Sequence, residues 1–252
     1  MRVAVVADIH GNLPALEAVI ADLRAQSPDL VVNLGDHLSG PLWSAATADL
    51  LMTQSAWVHI RGNHDRYMSA LPLEAQGPSA RAASEQLSGR HTDWLRNLPL
   101  TATVDGDILL CHGTPQCDEE YLVEDVSSGF ARMAPPEDIR ERATVPGLER
   151  APAVILCGHS HLPQLIRLDG TSIIANPGSI GLPAYEDREH HFPHVIECGS
   201  PHARYLILDR RGRNWNATFR AIEYDWESAA GLAGDSGRPD WSYSLRTGYA
   251  PR

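Results

Sequence analysis

Apolar positions in the opening quarter of the chain come in short, β-branched runs, each stopped by a glycine, an aspartate or an asparagine. Val3 to Ala7 has the length and composition of a buried strand. Asn12 follows where a helix N-cap belongs, and Pro14 suits the first turn. Leu13, Leu16, Val19, Ile20 and Leu23 share one face of a 3.6-residue repeat, so an amphipathic helix is expected there. Val31-Val32-Asn33-Leu34 is the next strand, ended by Gly35-Asp36. Trp57-Val58-His59-Ile60 is the third, ended by Gly62-Asn63. Strands alternating with helices predict a parallel sheet with right-handed crossovers.

The pattern then changes. Residues 79–98 read as helical, anchored by Ala82, Leu87, Trp94, Leu95 and Leu98. Thr101–Val104 and Ile108–Cys111 read as strands around an Asp105-Gly106-Asp107 hairpin turn. Residues 114–151 are polar and carry Pro135-Pro136 and Pro146-Gly147; they read as an insertion near the site, with some helix around 136–144. Ala153–Cys157 is a further buried strand. Leu162–Leu168 and Ser172–Ala175 flank Asp169-Gly170 as a hairpin. Residues 181–202 read as a long loop rich in His, Pro and Glu. Ala203–Leu208 and Trp215–Ile222 close the sheet around Arg211-Gly212. From Gly231 onward Gly, Ser, Asp and Pro dominate, and a poorly ordered tail is expected.

Composition narrows the class. With 252 residues, 43% of them apolar, the chain can build one large α/β domain, placed here over residues 1–230. Its four cysteines, Cys111, Cys117, Cys157 and Cys198, include no CxxC pair and do not make a disulfide framework. The N-terminal apolar run is too short for a signal-peptide core or a membrane span. A cytoplasmic protein without membrane partners is therefore expected. The formal net charge of −11 argues against nucleic acid as a partner, since that needs a basic footprint.

Five segments place metal-ligating side chains just after a predicted strand: Asp8-Ile9-His10, Gly35-Asp36, Gly62-Asn63-His64-Asp65, His112-Gly113 and Gly158-His159-Ser160-His161. Neighbouring strand ends lie ~5 Å apart, so groups distant in sequence can converge on one sheet edge. Asp8 and His10 are two apart and in extended chain project to the same side; the same holds for His159 and His161. Singly, each of these residues is an ordinary turn, cap or surface residue. Jointly, two Asp, one Asn and four His at strand ends make a binding constellation. Imidazole, carboxylate and amide without thiolate suit Mn, Fe, Zn, Co or Ni rather than Cu(I) or an iron–sulfur cluster. Seven ligands exceed the four of a closed zinc site, whereas two metals sharing a carboxylate would use them all.

The order DxH, GD, GNH(D/E), His-Gly and GHxH resembles the calcineurin-like metallophosphoesterase superfamily, over residues 8 to 161. Asn176-Pro177-Gly178-Ser179 and the chain length are similar to its small prokaryotic phosphodiesterases. The resemblance implies a four-layer α/β/β/α sandwich, two central mixed β-sheets flanked by helices. It assigns Asp8, His10, Asp36 and His161 to one metal, and Asp36, Asn63, His112 and His159 to the other, with Asp36 bridging. The cofactors implied are two divalent ions, Mn being the expected one. The activity implied is hydrolysis of a phosphate ester, a diester in preference, by a hydroxide bridging the two metals. His64 would face the substrate as the catalytic residue and assist the leaving group.

There are departures. Protein phosphatases and symmetrical dinucleoside tetraphosphatases of the superfamily carry an arginine after their GD motif. This chain has Ser39 and Gly40 there and lacks that bidentate grip, which disfavours a protein phosphatase. Arg61 and Arg66 flank the third segment and are read as solvated. His37 is read as lying behind the metals or facing substrate, Cys111 and Cys157 as small buried hydrophobes, and His190, His191 and His194, with Glu186, Asp187 and Glu189, as a polar loop. Asp65 is read equally as an orienting group or a solvated one. Trp241, Tyr243 and Tyr249 could dock on a neighbouring subunit of a homo-oligomer, and no role is assigned to them. The substrate is expected to be a small phosphate ester, a nucleotide among the candidates. A non-catalytic scaffold of the same fold and a nuclease are the alternatives.

Overall fold

Successive residues of β1 (Arg2–Val6) point to opposite faces, and both faces are buried. Val3 and Val5 join a core between two sheets. Ala4 and Val6 join a second core under α1 (Leu13–Gln26), formed with Leu16, Val19 and Leu23. Asn12 caps α1 as expected, its side chain accepting from the Ala15 N–H at 3.3 Å. The computed structural model describes residues 1–148, 151–168, 172–188, 190–212 and 214–251.

The first sheet runs β14-β13-β1-β2-β3, with β2 (Leu30–Asn33), β3 (Val58–His59), β13 (Ala203–Arg211) and β14 (Asn214–Ile222). Strands β1, β2 and β3 are parallel, and β13 adds antiparallel to β1. The second sheet runs β4-β5-β8-β10-β9, with β4 (Ala102–Val104), β5 (Ile108–Leu110), β8 (Val154–Leu156), β9 (Pro163–Leu168) and β10 (Ser172–Pro177). The sheets face each other through Val32, Leu34, Ile108, Leu110, Leu156, Leu206 and their neighbours. Helices cover both outer faces. On the first lie α1, α2 (Ser44–Thr53), α3 (Asn63–Ala70), α4 (Pro78–Ser84) and α5 (Gly89–Asn97). On the second lies α6 (Pro136–Arg142), whose Ile139 packs with Leu109, Ile155 and Ile174. This is the expected α/β/β/α layering. Cys111 and Cys157 are fully buried in that last core, as small hydrophobes.

Three expectations need correcting. The single helix over 79–98 is two, α4 and α5, separated at residues 85–88, where α4 ends and Ser88 starts α5. The loop at 181–202 contains an antiparallel hairpin, β11 (Ala184–Asp187) and β12 (His194–Glu197). The segment from Gly231 is not a loose tail: α7 (Trp226–Asp235) and α8 (Pro239–Thr247) form a packed pair. Asp225 caps α7 through the Ser228 N–H, and Pro239 opens α8. Ala229, Ala230 and Ala233 let the helices approach closely, and Trp241 and Leu245 complete a core with Leu42 and Leu182. Of the residues that suggested disorder, Asp235, Ser236 and Gly237 are exposed, while Ser242 and Ser244 are buried. The Asp169-Gly170 turn and Glu189 lie outside the described residues.

The insertion at 114–151 holds a short hairpin, β6 (Glu124–Asp125) and β7 (Arg132–Met133), ahead of α6. Glu124 is buried and accepts from Ser160 Oγ at 2.6 Å and Gln164 Nε2 at 3.2 Å. Burial pushes its carboxyl up to about 7 from an ordinary 4.5, against the smaller opposing effect of the Ser160 bond. The folded protein thus holds a proton that the unfolded chain releases between these values, so stability falls as pH rises from 4.5 to about 7. Glu124→Gln removes this loss. In metal-free protein it is expected to melt several degrees above wild type at pH 8, a gain of at most about 3 kcal/mol, shrinking to nothing near pH 4.5. Scanning calorimetry at both pH values checks this; an equal gain at both would show that packing, not ionisation, is responsible.

Candidate metal centre

The segments after β1, β2 and β3 of the first sheet and after β5 and β8 of the second carry the predicted ligands to one place. They do so by an unusual backbone. Asp8, His10, Asp36, His159 and His161 all have positive φ, between 51° and 69°. The extended alternation expected for Asp8/His10 and for His159/His161 is therefore absent, and left-handed turns aim these side chains instead. Each such residue costs ~1–2 kcal/mol, so five cost an amount comparable to the net stability of a domain. The loops offset this by lacing together: the Asp8, His10 and Gly11 N–H groups donate to Gly35, Asp36 and His37 carbonyls, all at 3.0 Å.

The result is two clusters. One donor atom each of Asp8, His10 and His161 lie within 4.8 Å of one another, and so do those of Asp36, His112 and His159. The His159/His161 pair splits between the clusters. Asn63 joins the second, with Oδ1 3.1 Å from His112 Nε2. Asp36 Oδ2 stands between the clusters, 3.4 Å from His112 Nε2 and 3.8 Å from His10 Nε2. All seven predicted ligand residues thus meet at one place.

The tautomers are set from behind. His112 Nδ1 lies 2.8 Å from the Leu34 carbonyl, His161 Nδ1 2.7 Å from that of Leu182, and His10 Nδ1 3.0 Å from that of Ser39. His159 instead turns Nε2 to the Glu119 carbonyl at 3.1 Å. A carbonyl only accepts, so each ring nitrogen facing one carries the proton. In the neutral ring the other nitrogen is a lone pair aimed inward, the form a metal-bound imidazole takes. His10 and His161 bring their Nε2 atoms to 3.1 Å, a contact that suits a shared electrophile.

The electrostatics ask for positive charge. Asp8 and Asp36 are buried, and Asp8 Oδ1 has no hydrogen-bond partner. Burial opposes ionisation of both, yet the imidazoles of His161 and His112 outweigh it and hold the carboxyls below the usual range. Burial also depresses His10 to about 3 and His159 to about 4, keeping them neutral and ligand-ready. His112 goes the other way. Burial would lower it, but the Asp36 and Asp8 carboxylates raise it to about 10, so a proton sits where a cation would. The donor set and its charge fit a pair of divalent ions.

Asp65, of undecided role in the sequence, is an orienting group. It is fully buried and accepts from the Asp36, His37 and Gly62 N–H groups at 2.9–3.0 Å and from His37 Nδ1 at 2.7 Å. His37 therefore lies behind the metals, against Trp94 and His59. Glycine is required at 35 and 62. Gly35 has φ +104°, and any side chain on Gly62 would overlap the Asp36 carboxylate.

A cleft of about 890 Å³ opens over the clusters. His64 lines it, its ring 5.7 Å from that of His10, and its backbone N–H donates to Asp36 Oδ1 at 3.0 Å. It stands beside the ligands, outside both clusters. Arg66 is taken by Asp118 and Glu119, and Arg61 does not line the cleft. His190 faces the cleft, while His194 is buried with Nε2 2.9 Å from the Tyr121 hydroxyl. Sequence reasoning missed Tyr121, Tyr185, Arg238 and Trp241, all of which line the cleft. The cap at Asp225 and the proline at 239 could have revealed the helices that bring Arg238 and Trp241, but no local signal marks the tyrosines. Trp241, instead of reaching another subunit, packs over Gly40 and 6.0 Å from the His10 ring.

A search of curated proteins finds no significant match. A crystal structure of a metallophosphoesterase from Sphaerobacter thermophilus is 23% identical, with a TM-score of 0.70 over 97% of each chain. One of a hypothetical protein from Pyrococcus horikoshii OT3 is 20% identical, with a TM-score of 0.69 over 99% of each. Both likenesses are of fold and take in the C-terminal helices. No helix among the described residues is long and apolar enough to cross a membrane. The family model described as calcineurin-like phosphoesterase matches residues 1–186. That span includes every ligand-bearing loop, and the chain accordingly belongs to the calcineurin-like phosphoesterase family, which implies metal-dependent phosphoester hydrolysis at a binuclear centre.

Proposed function

We propose that this protein hydrolyses a small phosphodiester, a nucleotide derivative among the candidates, at two divalent ions. Asp8, His10 and His161 hold one, Asn63, His112 and His159 the other, and Asp36 bridges them. Mn²⁺ is the expected metal. The observation that carries this reading is the set of four imidazoles, each locked by a backbone carbonyl so that its other ring nitrogen is turned into a cluster with a buried carboxylate. Ions bound there would acidify a water and polarise the phosphoryl oxygens.

The chain's own residues supply the rest. Asp65 and the glycines hold the Asp36 carboxylate in place. Tyr121, Tyr185 and Trp241 wall the cleft and limit water. His64, at the start of α3, is placed to give a proton to the departing alcohol oxygen. Preference for a diester is supported by charge. The cleft's two arginines are already paired, Arg188 with Glu186 and Arg238 with Asp240, so no free guanidinium among the described residues meets the extra charge of a monoester. The four free cysteines accord with a reducing compartment, and we place the protein in the cytoplasm.

The test is direct. Chelator-stripped protein is reloaded with Mn²⁺ and assayed on bis(p-nitrophenyl) phosphate and p-nitrophenyl phosphate. Mn²⁺-dependent turnover, faster on the diester, is expected. A faster monoester rate would overturn the diester assignment, and no turnover on either would favour a binding module.

A further inference from the structure

The turn that carries His159 and His161 serves both ion clusters at once. It is also held in left-handed backbone at both residues, φ 69° and 60°. Such a turn persists only where its surroundings over-determine it. Two tyrosines from separate parts of the chain cover it. Tyr121, in the insertion, stacks on His159 with ring centroids 4.6 Å apart and planes 28° from parallel. Tyr185, on β11, meets His161 edge-on at 4.8 Å, and its hydroxyl reaches the His159 carbonyl at 3.3 Å.

The two hydroxyls are themselves joined at 2.8 Å, and Tyr121 Oη lies 2.9 Å from His194 Nε2. The direction of this chain follows from its far end. His194 Nδ1 faces the Phe192 carbonyl at 2.7 Å and must donate to it, so Nε2 accepts. Tyr121 therefore donates its proton to His194, and the single proton of Tyr185 is shared between Tyr121 Oη at 2.8 Å and the His159 carbonyl at 3.3 Å. Both tyrosine hydroxyls are thereby satisfied, and the turn is tied to the β11–β12 hairpin.

We infer that Tyr121 and Tyr185 are positioning residues that lock the His159–Ser160–His161 turn and couple the two ion sites through their shared hydroxyl bond. The inference rests on the metal reading of this site given above. Phenylalanine keeps each ring and removes only the hydroxyl, so Tyr121→Phe, Tyr185→Phe and the double variant separate locking from packing. Mn²⁺ binding to the metal-free full chain is measured by titration calorimetry, with the melting temperature of each metal-free variant alongside.

Wild type is expected to bind two Mn²⁺. Each single variant should weaken binding at both sites by about 10-fold, the low end of what outer partners of metal ligands contribute, because the hydroxyls brace the turn's backbone and not its imidazoles. The double variant should be no weaker than Tyr185→Phe, because that change alone removes both the shared bond and the contact with the His159 carbonyl. Melting of the metal-free variants should stay within a few degrees of wild type. Affinities within twofold of wild type would overturn the clamp and leave the metal reading intact, as would weakening confined to one ion. A wild-type chain that binds no Mn²⁺ would overturn the metal reading and the clamp with it.

Discussion

Asp36→Asn protein is expected to lose both bound ions and at least about 1,000-fold in turnover on the diester. The carboxylate reaches both clusters, 3.4 Å from His112 Nε2 and 3.8 Å from His10 Nε2. Asparagine keeps the shape and an acceptor for the His64 N–H. What it removes is a unit of negative charge. At ~4 Å and an effective dielectric of 20 that charge contributes about 4 kcal/mol per unit of cation charge, roughly three decades in affinity. Turnover should follow, since bound ions would stabilise the charge developing on the phosphoryl oxygens. Elemental analysis after dialysis, beside the diester rate, makes the measurement. A variant that retains two ions and works within tenfold of wild type would remove Asp36 from the bridging role.

His64→Ala should behave in the opposite way: ions retained, rate lost. The side chain belongs to neither cluster, and its contacts with the site are the ring approach to His10 at 5.7 Å and its backbone bond to Asp36. Its Nδ1 is buried without a hydrogen-bond partner, so the ring is held ready for a group that substrate brings. General acid catalysis contributes ~10²–10⁴-fold, and that is the fall expected on an alkyl diester. On bis(p-nitrophenyl) phosphate the fall should be much smaller, because p-nitrophenolate departs without a proton. Equal losses on both substrates would argue against proton donation. Loss of the ions would make His64 a ligand after all.

The sequence carried the succession of strands and the seven side chains that meet at the two clusters, because both are local signals. A buried parallel strand is a short apolar run, and a sheet edge that binds ions must spend polar side chains and glycines right after such runs. The capped start of α1 at Asn12 was legible for the same reason. What only the tertiary structure decided is how those residues point and what holds them. Asp8 and His10 looked like an extended pair, yet their left-handed backbone is imposed by the Gly35–His37 loop, distant in sequence. Asp65 looked as much a surface residue as a structural one until the loops of two strands closed on its carboxylate. The segment from Gly231 looked disordered because its composition masks the end of α7 and all of α8, helices too short to be stable alone that exist by packing on Leu42 and Leu182. Tyr121 and Tyr185 meet across 64 residues and leave no pattern in either neighbourhood. A chain's periodicity reports which side of an element is buried; which distant group it is buried against is settled only when the layers close.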